Sequence, residues 1–217
     1  MIITRQKNFR DIINKIQKKS VFIVGCSECA TLCNTGGETE VLEMKKRLEE
    51  NSIKVTGWEI LDPACNLNND KRLFRKHKNS LENSDSLLVL ACGNGCQTVS
   101  EIFSDKEIIS GNDTLFLGET KRYGVFEKKC EMCGECLLDD FAGFCPVSLC
   151  PKSILNGPCG GVSSDKKCEV NKEMDCGWIK IYDFLRKKDR LDVLKKIQDP
   201  KNWSKSTEMH RSVKDEL

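Results

Sequence analysis

Fourteen cysteines accompany only two histidines, His77 and His210, and this imbalance constrains the fold more than any other feature of the 217 residues. The thiols are clustered. Cys26, Cys29 and Cys33 form one run, Cys65, Cys92 and Cys96 follow singly or as a pair, and eight more lie between Cys130 and Cys176. Clustered Cys-x-x-Cys spacings in a reducing compartment read as metal or redox sites, whereas stable disulfides belong to oxidising ones. The first twenty residues, Met1 to Ser20, alternate charged and apolar groups every three or four positions. They are read as an amphipathic helix and not as the apolar core of a secretion signal. A cytoplasmic location is therefore expected, and the closing Lys214-Asp215-Glu216-Leu217 is taken as a chance match to a retention address. The longest apolar stretches, such as Ser86 to Ala91, fall far short of the roughly 20 residues that span a membrane. A net charge of +2 argues against nucleic acid as a partner.

The expected fold class is α/β: a small parallel-sheet domain over residues 1–122, then a Cys-rich, metal-stabilised module over 123–177, then C-terminal helices and a polar tail over 178–217. In the first part, short apolar runs at Val21–Val24, Ile53–Ile60, Leu87–Ala91 and Thr114–Leu117 alternate with amphipathic stretches, the pattern of strands joined by crossover helices. A helix starts near Thr35-Gly36-Gly37-Glu38 and places Val41, Met44 and Leu48 on one face. Further helices are expected over Asn68–Asn83 and Thr98–Phe103. After Tyr123 the periodicity is lost and Cys, Gly and Pro dominate, so this module has too little apolar content for a large core and needs another source of stability. From Trp178 an apolar stripe of Ile181, Phe184, Leu185, Leu191, Leu194 and Ile197 returns, broken around Lys187–Arg190.

Position matters more than number in the first cysteine group. Cys26, Cys29 and Cys33 follow the first strand, Cys65 follows the second in Asp62-Pro63-Ala64-Cys65, and Cys92 follows the third. Ligands of open parallel sheets collect at the carboxyl ends of the strands. A [4Fe–4S] cluster takes four thiolates, assigned to Cys26, Cys29, Cys65 and Cys92 with Cys33 as the substitute. Cys96 is read as a buried structural thiol. Cys92-Gly93-Asn94-Gly95-Cys96 is also a glycine-rich turn before a helix, but it lacks the full phosphate-binding fingerprint.

In the second group, Cys130-x-x-Cys133-x-x-Cys136 with Cys145-Pro146 approximates a ferredoxin run, although eight residues stand where that run has three. Cys150, Cys159, Cys168 and Cys176 bring the total to eight, the requirement of two four-thiolate sites. Two clusters, or one cluster and a zinc ion, both satisfy it, and spacing leaves the partition between sites open.

Cys-x-x-Cys-Gly-x-Cys, Cys-Pro, Cys-Pro-Lys and Asn-Gly-Pro-Cys-Gly-Gly, continuing into Cys168-Glu169-Val170 and Cys176-x-Trp178, resemble the methylenetetrahydrofolate reductase C-terminal domain family. Upstream, Gly25-Cys26-x-x-Cys29-Ala30-x-x-Cys33-x-Thr35-Gly36-Gly37-Glu38 and Ala91-Cys92-Gly93-x-Gly95-x-Gln97 resemble the small iron–sulfur subunit of that reductase from acetogenic bacteria. The resemblance implies a non-catalytic electron-transfer subunit with two or three [4Fe–4S] clusters, with zinc in place of one as the alternative. It implies a flavin-containing methylenetetrahydrofolate reductase catalytic subunit as partner, with FMN on that partner only, and a further donor subunit or ferredoxin as the electron source. Two other classes stand beside it: a zinc-thiolate methyl-transfer protein and a structural zinc scaffold. Lys121-Arg122-Tyr123-Gly124 is read as a solvated basic linker and Asp139-Asp140 carries no catalytic role. Trp178, Tyr182 and Phe184 are candidates either for partner docking or for the chain's own core.

Overall fold

A computed structural model describes residues 1–16 and 20–207. Residues 17–19 of the expected N-terminal helix, His210 and the terminal Lys214–Leu217 tetrapeptide lie outside the described residues. The chain divides into two compact units, one of Met1–Glu127 and one from Lys128 onward.

In chain order the first unit runs β1 (Ile2–Gln6), α1 (Phe9–Ile16), β2 (Val21–Cys26), α2 (Cys29–Leu32), α3 (Glu38–Glu50), β3 (Val55–Leu61), α4 (Leu67–Phe74), α5 (Lys78–Glu82), β4 (Ser86–Val89), α6 (Gly93–Ile102), β5 (Glu107–Ser110) and β6 (Asn112–Arg122). Strand β7 (Val125–Cys130) straddles the unit boundary. Strands β3, β2, β4 and β5 lie in that order in one parallel sheet. Its two central strands, VFIVGC and SLLV, are buried along their whole length, as a strand with helices on both faces must be. Alternation sorts their side chains. Phe22, Val24, Leu87 and Val89 pack with Phe74, Leu81 and Val99 on one face, and Val21, Ile23, Leu88 and Leu90 pack with Ile12, Ile16, Val41, Met44 and Leu48 on the other. The fold is thus α/β, with α3 starting at the Gly37 N-cap and burying the three residues its periodicity selects.

Two expectations are corrected. Ile2–Gln6 is a strand because its residues pair antiparallel with β6, from Ile2↔Leu117 to Gln6↔Asn112, so only Phe9–Ile16 keeps the expected helical form. Thr114–Leu117 lies in β6, within a second sheet of order β1-β6-β7, and the fourth parallel strand is Glu107–Ser110. The expected helix over Asn68–Asn83 is interrupted by a tight turn at Arg75–His77, and α6 begins at Gly93, ahead of Thr98. Of the expected linker, Lys121 and Arg122 end β6 and Tyr123-Gly124 turns the chain into β7, with Gly124 at φ +70° and Lys121 bonded to Glu119 and Glu127.

The second unit has little regular structure beyond α7 (Pro146–Leu149) and α8 (Gly177–Lys187). Its core is small: Phe141, Trp178, Ile181 and Leu185. The rings of Phe141 and Trp178 meet edge-on with centroids 5.3 Å apart, and Trp178 Nε1–H donates to the Ile154 carbonyl at 3.1 Å. Trp178 is therefore core, while Tyr182 and Phe184 are exposed.

Candidate metal centres

All fourteen cysteines lie among the described residues and none is disulfide-bonded. In the first unit the strand order places the topological switch point between β2 and β4, whose outgoing connections run to opposite sides. Cys26 ends β2, and Cys92 follows β4 and caps α6. The turn after β2 is laced to its surroundings. Cys26 N–H donates to the Gly36 carbonyl at 2.8 Å, Thr31 Oγ1 to the Cys26 carbonyl at 2.7 Å, and Ser27 Oγ to Asp62 Oδ1 at 2.7 Å. The last bond ties the end of β2 to the segment that carries Cys65. The Cys92 turn is tied to β6, where Thr114 Oγ1 accepts from Gly93 N–H at 2.7 Å. Glycine is needed at Gly36 because a Cβ there would stand 1.7 Å from the Leu90 carbonyl oxygen.

Cys65 lies within electrostatic reach of Cys92, Cys26 and Cys29. Burial raises the Cys65 thiol above its ordinary value; Cys92 and Cys26 add repulsion, its own backbone hydrogen bond opposes, and Cys29 contributes further repulsion. Since Cys65 is exposed by surface area, the thiol neighbours are the more informative cause. Cys33 is buried beside β1, its Sγ 3.9 Å from the Ile2 carbonyl. Cys96 is buried in the apolar cluster below α6 and its thiol is also raised, chiefly by burial, with Ser110 and Lys7 opposing. Gly95 explains the glycine-rich turn without a phosphate, since a Cβ would come within 3.0 Å of the Ala64 and Ala91 methyl groups.

In the second unit, four of the eight cysteines come to one cavity. Cys150, Cys159, Cys168 and Cys176 line a single cavity of about 10 Å³, together with Lys152, Glu169 and Trp178. Cys168 and Cys176 flank a short hairpin: Cys168 N–H donates to Met174 O at 2.9 Å, Cys176 N–H to Lys166 O at 2.9 Å, and Lys167 bridges to Asp175. Cys159 Sγ donates to Glu169 Oε1 at 3.4 Å, and Lys152 pairs with the same carboxylate. A Cβ on Gly161 would overlap the Glu169 carboxylate, so glycine there makes the cradle. Cys130, Cys133, Cys136 and Cys145 do not line this cavity. Cys130 Sγ accepts from Met132 N–H at 3.2 Å, and left-handed Met132 and Gly134 turn the Cys-x-x-Cys-Gly segment. Asp139 and Asp140 lie in a turn, where the Asp139 carbonyl accepts from Arg190.

Among the described residues no three or more His, Cys, Asp or Glu side chains are spaced to hold a single metal ion. The donor chemistry of both four-thiol sets nonetheless fits thiophilic groups: four soft ligands each, from chain segments that the fold fixes. Sequence reasoning missed β1 and its contacts with the first set. The β-branched run Ile2-Ile3-Thr4 was the available signal.

Residues 109–204 match the model of a family described as methylene-tetrahydrofolate reductase C terminal. The matched stretch takes in all eight cysteines of the second group and none of the first. No curated protein and no solved structure matches the chain. No helix among the described residues is long and apolar enough to cross a membrane.

Proposed function

We propose that this chain is an iron–sulfur electron-transfer subunit that passes electrons to the flavin of a partner methylenetetrahydrofolate reductase catalytic subunit. The observation that carries the proposal is the convergence of Cys26, Cys29, Cys65 and Cys92, from three strand ends, at a switch point of the parallel sheet. These residues would hold the cluster, which when bound supplies one-electron storage at a potential tuned by burial, charge and hydrogen bonds. A tetrahedral zinc ion draws four sulfurs to within about 3.8 Å of one another, given Zn–S bonds of about 2.3 Å. A [4Fe–4S] cluster takes one thiolate at each of its four irons. Thr31, Ser27 and Thr114 fix the loops that bear the thiols.

The family domain supports the choice of partner. The FMN and the folate are assigned to that partner because the parallel sheet here has four strands among the described residues, against the eight of a (β/α)₈ barrel. A ferredoxin or a further donor subunit is the electron source. At the second centre, Cys150, Cys159, Cys168 and Cys176 line one cavity and would hold one thiophilic group, with Cys130, Cys133, Cys136 and Cys145 left for another.

Stopped-flow bleaching of the partner's flavin tests the proposal. With a low-potential one-electron donor, the two-subunit complex reduces its flavin faster than the flavin subunit alone, and Cys65→Ser removes the gain without weakening folate binding. Equal rates with and without this chain would overturn it.

A further inference from the structure

Strand β1 lies at the edge of its sheet, flanked among the described residues by β6 alone. Met1 and Gly118 exchange both backbone hydrogen bonds, at 3.1 and 3.0 Å, which makes them a bonded pair of the antiparallel ladder. The next pair, Ile2↔Leu117, is then a non-bonded one, so the N–H and C=O of Ile2 turn away from β6. Both meet the cysteines of α2. Ile2 N–H donates to Cys29 Sγ at 3.4 Å, and the Ile2 carbonyl accepts from Cys33 Sγ at 3.9 Å. Thr4 fastens the strand two residues on, its hydroxyl 2.6 Å from that of buried Thr35.

We infer that the Ile2 peptide distinguishes two neighbouring thiols: Cys29, which accepts from the Ile2 N–H, is a cluster ligand whose charge that N–H stabilises, and Cys33, whose Sγ faces the Ile2 carbonyl, does not ligate. The inference rests on the cluster reading above and adds to it a positioning residue outside the thiol set. A hydrogen bond to ligand sulfur stabilises the more negative, reduced state and so raises the reduction potential. Because the Ile2 N–H makes no ladder bond, proline can replace Ile2 without breaking the sheet.

The experiment is a potentiometric titration of the anaerobically prepared full chain, followed by electron paramagnetic resonance of the reduced cluster. Ile2→Pro lowers the reduced-to-oxidised ratio at fixed potential about tenfold, which is 59 mV for one electron. Ile2→Val, which keeps the N–H, titrates as wild type. Cys33→Ala retains the iron, the sulfide and the spectrum, whereas Cys29→Ala loses them. If the proline variant does not assemble, wild-type protein with isoleucine carrying heavy nitrogen shows a nitrogen coupling to the reduced cluster. A proline variant with wild-type potential, a missing coupling, or loss of the cluster in Cys33→Ala overturns this inference and leaves the cluster reading standing. A chain that assembles no cluster with Cys29 intact overturns both.

Discussion

Gly36 stands where the loop after α2 passes over the end of β4, and its missing Cβ is what lets the Cys26 turn close: its carbonyl holds Cys26 N–H, and the space beyond its Cα belongs to Leu90. Gly36→Ala forces the two backbones apart. Overpacking of this kind costs about 1–3 kcal/mol, so the urea midpoint falls and the first cysteine set loses metal before the second. Equal metal loss from both sets would contradict this. Asp70, on the helix that follows Cys65, is fully buried, and neither carboxylate oxygen has a hydrogen-bond partner among the described residues. Burial pushes its pKa from 3.8 to about 6. Between those values the folded protein keeps a proton that the unfolded chain has released, so stability falls as pH rises through the window and the cost is complete above it. Asp70→Asn removes the charge. The variant melts higher than wild type at about pH 8, and the gap narrows at about pH 5. A gap independent of pH would contradict the assignment.

Among the elements, those buried on two faces were legible in the sequence. VFIVGC and SLLV announce a parallel sheet because no polar face interrupts them, and α3 announces itself through Val41, Met44 and Leu48. The edges at β1 and β5 were not. Strand β1 carries Arg5 and Gln6, its polar residues answering to β6 across the ladder, and nothing local separates such a segment from an amphipathic helix. Strand β5 has four residues, too few for a period to show. For the sites, residue type and position after strands selected Cys26, Cys29, Cys65 and Cys92, but the set of Cys150, Cys159, Cys168 and Cys176 depends on how irregular loops fold back, which spacing does not encode. Two substitutions test the grouping. Cys92→Ser removes iron from the first unit and leaves the metal of the second in place. Cys159→Ser does the reverse, with loss of one metal ion or cluster. Loss of all metal in either variant, measured by elemental analysis, would show that the sets are not separate.

At the scale of the molecule, the two units differ in apolar content. The first has apolar clusters on both faces of its sheet, and the second has one small cluster around Phe141, Trp178, Ile181 and Leu185 beside eight thiols. Metal binding by such a module is folding free energy, roughly 10 kcal/mol or more for a structural zinc site near neutral pH. Complete chelation is therefore expected to abolish slow amide exchange in residues 130–176 while β2 and β4 stay protected. Persistent protection in 130–176 after metal removal would contradict the metal-stabilised reading. The central claim, an iron–sulfur electron carrier, meets its most direct test in iron and acid-labile sulfide analysis of the anaerobically purified chain. The account predicts iron and sulfide in equal amounts, at least about four of each per chain, with a broad visible absorption that bleaches on reduction. Zinc alone, without sulfide or colour, would contradict it.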